Sequence, residues 1–363
     1  MIPKRNLECV MKVETITYQK SQKNRKGFIL ITLGFLLIGS VFSSCKKDET
    51  VPNKVPVVYI TGCGIAEEGS AKLVAKLWEN GETQILSEES SRAFARSVFV
   101  SGNDVYVGGY VLYDENNGFI ATIWKNGNVL YKLSDGTVSE YVHSVYVSGN
   151  DVYACGFAYL GSGVSIAKLW KNGVEQYLDL SSESNSNSSA YSVFVSNSDV
   201  YVVGSARTGQ YGFFNAKLWK NGVEQYLDLS SESNSNSSAN SVFVSNSDVY
   251  VVGSKTWKNG SVLYNNSGGS IFVSGNDVYV AGAGFKNGNW VAKLCKNGIE
   301  QILTDGTNEA SANSVYVLNN DVYVVGYEDG IGIRLWKNGA IQDFSNAMLW
   351  GPPSLCPVCV FVK

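Results

Sequence analysis

The sequence predicts an all-β protein, a seven-bladed β-propeller of four-stranded antiparallel blades. Two recurring phrases and the composition point to it. Versions of Ser-Val-Phe-Val-Ser-Gly-Asn-Asp-Val-Tyr-Val-x-Gly start at Ser97, Ser144, Ser192, Ser241, Ser270 and Ser314. Versions of Leu-Trp-Lys-Asn-Gly place Trp at 78, 124, 170, 219, 257 and 336, and Cys295 fills the same slot, making seven slots 38 to 49 residues apart. The composition, with 37 glycines and many Val, Tyr, Phe and Ser, favours strands and tight turns, and no amphipathic helix pattern follows residue 50. Self-similarity at this period, with four short strands per unit, is the signature of a propeller blade.

Within a unit, strand A is Ser-Val-Phe-Val and strand B is Asp-Val-Tyr-Val-Val-Gly, joined by a two-residue turn such as Gly-Asn or Asn-Ser. Both strands are apolar on both faces, as doubly covered inner strands are. Strand C is Ala-Lys-Leu-Trp-Lys. Asn-Gly then turns the chain into strand D, for example Val174 to Leu180. Asn-Gly is a strong hairpin signal because both turn residues need positive φ. Strands C and D carry Lys, Glu and Gln, as outer strands do.

The ring is expected to close by sharing one blade between the two ends of the repeat region. The first unit begins at strand B, Val58-Tyr59-Ile60-Thr61-Gly62, and lacks strand A. The chain ends in Cys359-Val360-Phe361-Val362, which matches Ser-Val-Phe-Val.

The first 44 residues read as an address. Lys23, Arg25 and Lys26 form a basic flank, and Phe28 to Phe42 is an apolar run of 15 residues. That is shorter than the roughly 20 residues of a spanning helix and suits a signal-peptide core. Translation from Met11 would give a signal of more usual length. The run ends in Val41-Phe42-Ser43-Ser44-Cys45. This resembles the lipobox of bacterial lipoproteins, in which the cysteine is acylated and becomes the new N-terminus; the family prefers Leu where Phe42 stands. Lys46-Lys47-Asp48-Glu49 is similar to the export signal of surface lipoproteins of the Bacteroidota. The resemblance implies lipidation at Cys45, a tether over 45–56, and anchoring in the bacterial outer membrane facing outward. The propeller then occupies 57–363.

Val-Tyr-Val-Val-Gly after an apolar strand and a tight turn resembles the second strand of kelch repeats over residues 57 to about 345. Most units lack the kelch double glycine, and Trp here precedes an Asn-Gly turn. The resemblance implies a kelch-like propeller architecture. Kelch-like propellers include binding scaffolds and a copper oxidase. With one histidine, the chain cannot assemble that oxidase's ligands.

The search for chemistry returns little. His143 occupies a slot filled elsewhere by Arg96, Tyr191, Asn240, Gly269 and Asn313, and reads as a variable loop position. There is no P-loop, HExxH, EF-hand loop or dinucleotide turn. A net charge of −3 gives no footprint for nucleic acid. No cofactor and no metal are expected. Cys356-Pro-Val-Cys359 is a lone C-x-x-C without a second ligand pair, read as a local disulfide or two buried thiols. The recurring Lys of the turn and Asp of strand B read as cross-strand pairs rather than an anion-binding ring.

Residues 167–205 and 216–254 differ only at Tyr191 against Asn240, so shared residues are framework and a specific site lies where blades differ. The expected binding face carries the B–C and D–A loops, which vary from blade to blade. Its aromatics can stack on sugars or anchor an interface: Tyr110, Tyr113, Tyr141, Tyr159, Tyr211, Phe213, Phe285, Trp290 and Tyr327. The functional expectation is a monomeric cell-surface lipoprotein that binds glycan or protein and touches the membrane only through its anchor. The alternatives are a polysaccharide hydrolase or lyase using loop carboxylates, from among Glu67, Glu68, Asp114, Glu115, Glu140, Glu328 and Asp329, and a structural envelope scaffold.

Overall fold

A computed structural model describes residues 55–66, 72–88, 92–113, 118–179, 187–207, 212–229, 235–343 and 358–363. Cys45, Cys356 and Tyr211 lie outside them, as do Glu67, Glu68, Asp114 and Glu115. The described residues form 28 strands and no helix, in seven four-stranded antiparallel sheets.

Blade 1 joins β1 (Val58–Ile65), β2 (Leu73–Glu79) and β3 (Glu82–Ile85) to the last strand, β28 (Cys359–Val362). The other blades are each continuous in sequence. Blade 2 runs from β4 (Arg92–Ser101) to β7 (Asn128–Lys132), and blade 3 from β8 (Ser139–Ser148) to β11 (Val174–Gln176). Blade 4 runs from β12 (Ser188–Ser196) to β15 (Val223–Gln225), and blade 5 from β16 (Ala239–Ser245) to β19 (Ser261–Tyr264). Blade 6 runs from β20 (Ser270–Ser274) to β23 (Ile299–Ile302), and blade 7 from β24 (Ala310–Leu318) to β27 (Ala340–Gln342). The seven A strands (β4, β8, β12, β16, β20, β24 and β28) contact one another in a closed circle.

Closure is as the sequence implies. Val58 pairs with Val362, Tyr59 with Phe361, Ile60 with Val360 and Thr61 with Cys359. Val57 and Lys363 exchange backbone hydrogen bonds of 2.9 and 3.0 Å just beyond the ladder.

The turns explain the second phrase. In every C–D turn Asn has φ near 50° and Gly near 80°, as at Asn126 and Gly127. The side chain then works twice. Asn126 Oδ1 accepts the Val105 N–H at 2.8 Å, and its Nδ2 donates to Asp104 Oδ1 at 2.8 Å. Lys125 takes the other carboxylate oxygen of Asp104 at 2.8 Å, and blades 3 to 7 repeat the ion pair. The recurring lysines are therefore committed to cross-strand pairs, and their exposure limits what each pair adds to stability.

Trp78, Trp124, Trp170, Trp219, Trp257 and Trp336 are buried, as is Cys295 in the seventh position. Each of the six tryptophans shares a cluster with valines of its own blade's A strand and with apolar residues of the preceding blade, as Trp124 does with Val98 and Val100 of β4 and with Tyr59 and Leu77 of blade 1. Cys359 is a free thiol, so the local Cys356–Cys359 disulfide is not formed. Cys63, in β1, is disulfide-bonded instead.

Candidate central binding site

Three residues of each A strand build the axis. The outermost step towards the A–B turns is aromatic: Phe99, Tyr146, Phe194, Phe243, Phe272, Tyr316 and Phe361 touch in sequence, with ring centroids 4.5 to 5.3 Å apart, and the last meets the first. This closed heptagon lines the axis at that level.

One step nearer the D–A connections is a belt of hydroxyls. Ser97 Oγ accepts the N–H of Val145 in the next blade at 3.1 Å. Ser144, Ser192, Ser241, Ser270 and Ser314 do the same to Val193, Val242, Ile271, Val315 and Val360, at 3.2 to 3.3 Å. Cys359 completes the circle by accepting from the backbone of Val98, and burial raises its thiol pKa. The serine that opens the first phrase is thus an inter-blade fastener.

The next step is the slot containing His143, and it is not a loop. In five blades the pairing of strands A and B slips at this residue: Arg96, His143, Tyr191, Asn240 and Asn313 are each passed over in the register. A β-bulge adds one residue to one strand and re-aims its side chain. The glycine ending strand B is part of the same device. A Cβ at Gly109, Gly156, Gly204, Gly253 or Gly326 would run into the carbonyl oxygen of Phe94, Tyr141, Ser189, Ser238 or Ser311. Only glycine allows the bulged strand to approach so closely.

The re-aimed residues meet. Arg96, His143, Tyr191, Asn240, Gly269, Asn313 and Val358 line a cavity of about 430 Å³ above the serine belt. That volume lies within the usual range for small-molecule sites, roughly 300–1,000 Å³. The lining is lopsided. Blades 2 to 4 supply a cation and two rings, with His143 stacked on Tyr191 at 5.4 Å and 22°. Blades 5 to 7 supply Asn240, Gly269 and Asn313. Asn240 Nδ2 donates to the Gly268 carbonyl at 2.9 Å, which leaves its oxygen as an acceptor. Asn313 Oδ1 lies 3.1 Å from Ser311 Oγ and accepts from it, which leaves its amide hydrogens.

Arg96 Nη2 donates to the Tyr110 hydroxyl at 3.0 Å, and the guanidinium lies 5.4 Å from the centre of that ring. His143 Nδ1 lies 3.2 Å from the Ala190 carbonyl oxygen. The carbonyl can only accept, so Nδ1 carries the proton and Nε2 keeps a free lone pair. Burial, with the Arg96 charge adding to it, lowers the His143 pKa to about 3, and the ring is neutral at pH 7. No carboxylate is among the described lining residues.

The aromatics expected at the site fall into several places. Tyr110, Tyr141 and Tyr327 share a cluster at the closure, where Tyr110 and Tyr327 are buried and Tyr141 is half-buried. Tyr141 stacks on Phe157 at 4.6 Å, and Phe157 meets the edge of His143, so this cluster backs the cavity wall without lining it. Phe285 and Trp290 form an exposed pair, 5.6 Å apart, on the hairpin joining strands B and C of blade 6. Tyr159 and Phe213 are exposed singly, and Tyr113 is half-buried beneath Lys132, 4.1 Å from its ring. Of the acids, Glu140 is buried, with its carboxyl pKa raised by that burial; Glu328 is buried against Arg334 at 2.8 Å; and Asp329 is exposed. None of the three lines the cavity.

The slot residues are not among the expected site aromatics, yet the sequence carries a signal for them. The copied blocks differ only at Tyr191 and Asn240, and both side chains line the cavity.

No family model matches the chain, and no curated protein matches it. Among solved structures, the chain is similar to a Bacteroides fragilis protein assigned as a 6-phosphogluconolactonase, with 11% identity over 86% of this chain and 99% of that one, at a TM-score of 0.43. It is similar to a GH43 endo-arabinanase from Bacillus licheniformis, with 13% identity over 68% and 96% of the two chains, at 0.31. It is also similar to the polysaccharide lyase Uly1, with 9% identity over 70% and 59%, at 0.33. At these values the likenesses carry no argument about what the cavity takes.

Proposed function

We propose that this chain is a binding propeller whose recognition site is the central cavity, and that its ligand is a glycan. One observation carries the reading: two 39-residue stretches copied from one another, each running from strand C of one blade to strand B of the next, differ only where they face the cavity. A framework shared by all blades cannot discriminate between ligands; residues that differ between blades can, when a rigid scaffold converges them. A stacked pair of flat rings opposite two amides suits a sugar, which offers an apolar face and a rim of hydroxyls. The lipobox-like segment ending at Cys45 supports display from a lipid anchor on the outer membrane, facing outward.

The test is a glycan array read with the wild-type chain and with a His143→Ala/Tyr191→Ala/Asn240→Ala variant. The reading requires signals that the variant loses. Signals that survive in the variant, or no signal from the wild type, overturn it.

A second reading, cleavage of the bound polysaccharide, is favoured by the neutral imidazole of His143, whose Nε2 is free to accept a proton beside a guanidinium. It draws on cavity residues rather than on loop carboxylates. New reducing ends released from an array-positive polysaccharide, and not by the triple variant, would establish it; none released would dismiss it.

A further inference from the structure

We infer that the cavity selects an acidic sugar, and that Arg96 is the residue that meets its carboxylate. The inference rests on the central cavity being the binding site.

Arg96 is the only charged side chain among the described lining residues. A guanidinium has five N–H donors and no acceptor. One nitrogen is engaged, by the neutral hydroxyl of Tyr110. Nε is buried and has no hydrogen-bond partner. No carboxylate forms an ion pair with Arg96 among the described residues, whereas Arg334 in blade 7 has Glu328. The cavity therefore holds one uncompensated positive charge at its wall, with donors still to be satisfied.

The rest of the lining sets the ligand's other properties. His143, Tyr191, Asn240 and Asn313 add no charge, so the site matches one negative charge. A carboxylate supplies one charge in a planar group that pairs with guanidinium through two parallel hydrogen bonds. A phosphate monoester would bring nearly two charges, one of them unmatched in a partly closed site. The stacked rings of His143 and Tyr191 offer a face for a pyranose. The free acceptor of Asn240 and the free donors of Asn313 suit hydroxyls on the opposite rim. Together these describe a hexuronate unit.

The test is calorimetric titration of the full chain with matched tetrasaccharides, galacturonate against galactose and glucuronate against glucose, with glucose 6-phosphate as a third arm. The acidic member of at least one pair is expected to bind about tenfold tighter than its neutral partner, the scale of a charge-assisted hydrogen-bonded pair. Arg96→Gln should erase that preference, and Arg96→Lys should keep part of it because charge survives without the fork. An unchanged urea midpoint in Arg96→Gln would show that the loss is not misfolding; if that variant is unfolded, Arg96→Lys alone decides, by a reduced preference. Equal affinities within both pairs, a preference that survives Arg96→Gln, tighter binding of glucose 6-phosphate, or no binding in any arm would each overturn the inference. Array signals for neutral glycans that the triple slot variant loses would leave the cavity as the site and remove only the acidic ligand.

Discussion

Removing Val358–Lys363 should unfold the entire ring and not merely trim one blade. Val358, Val360 and Val362 are 4%, 3% and 1% exposed. Fully burying each is worth about 1.5–3 kcal/mol, so the three together contribute roughly 5–9 kcal/mol. The deletion also takes Phe361 out of the aromatic heptagon, the β1–β28 ladder, and one partner from each of two belt hydrogen bonds. The sum is comparable to the about 5–15 kcal/mol that separates most folded domains from their unfolded chains. The lost contacts reach both neighbours: Val360 and Val362 pack with Tyr323 and Leu335 of blade 7, and Phe361 with the blade 2 cluster. Val360→Ala is the graded version. It removes two methyl groups at about 0.8 kcal/mol each and leaves a cavity, for a total near 2–3 kcal/mol. Urea unfolding followed by both tryptophan fluorescence and far-ultraviolet circular dichroism measures it, with Val174→Ala, 64% exposed, as the control. A Val360→Ala midpoint no lower than the control's, or a truncated chain that melts like the whole one, would refute closure as a determinant of stability.

Three further outcomes are expected. Tyr191→Asn makes the two copied blocks identical; it should weaken binding of an array-positive glycan by about 1 kcal/mol or more in calorimetry, whereas Lys125→Ala and Lys171→Ala, on the opposite face, should not. Gly204→Ala should cost about 1–3 kcal/mol in urea unfolding, because its Cβ meets the Ser189 carbonyl, whereas Gly284→Ala, which meets only ordinary contacts, should cost less. His143 titrates at about 3 in the fold. In the unfolded chain it titrates near 6.5, so that state takes up the proton first and stability falls as pH drops from about 6.5 to about 3, by at most about 1.4 kcal/mol per pH unit. His143→Asn should remove that slope, and parallel pH profiles of the two proteins' urea midpoints would contradict the assignment.

The propeller was legible because its rules are local. Asn-Gly specifies its own turn, alternation specifies the faces, and Cys359-Val360-Phe361-Val362 carries the same pattern as the strands it completes. The site was not legible in the same way. Arg96, His143 and Tyr191 sit between an apolar residue and the belt serine, where period-two counting assigns no side chain to the axis, so the slot reads as loop. A bulge breaks that count, and its cause is a contact between strands: the strand-B glycine yielding to the strand-A carbonyl. The loop aromatics stand out in sequence only by type and by variation between blades. Tyr110 and Tyr327 proved to be interior, because strand B continues well past its glycine.

The bulge has a consequence for how such a molecule can change. Each blade contributes a single character to a seven-position word, read at the axis, and the rest of the blade is indifferent to which character it carries. The copied stretch, from strand C of one blade to strand B of the next, shows a repeat length duplicated with one character altered. A new specificity can therefore be spelled without touching the fasteners, the heptagon or the turns, and the stability of the ring and the identity of its ligand can vary almost independently.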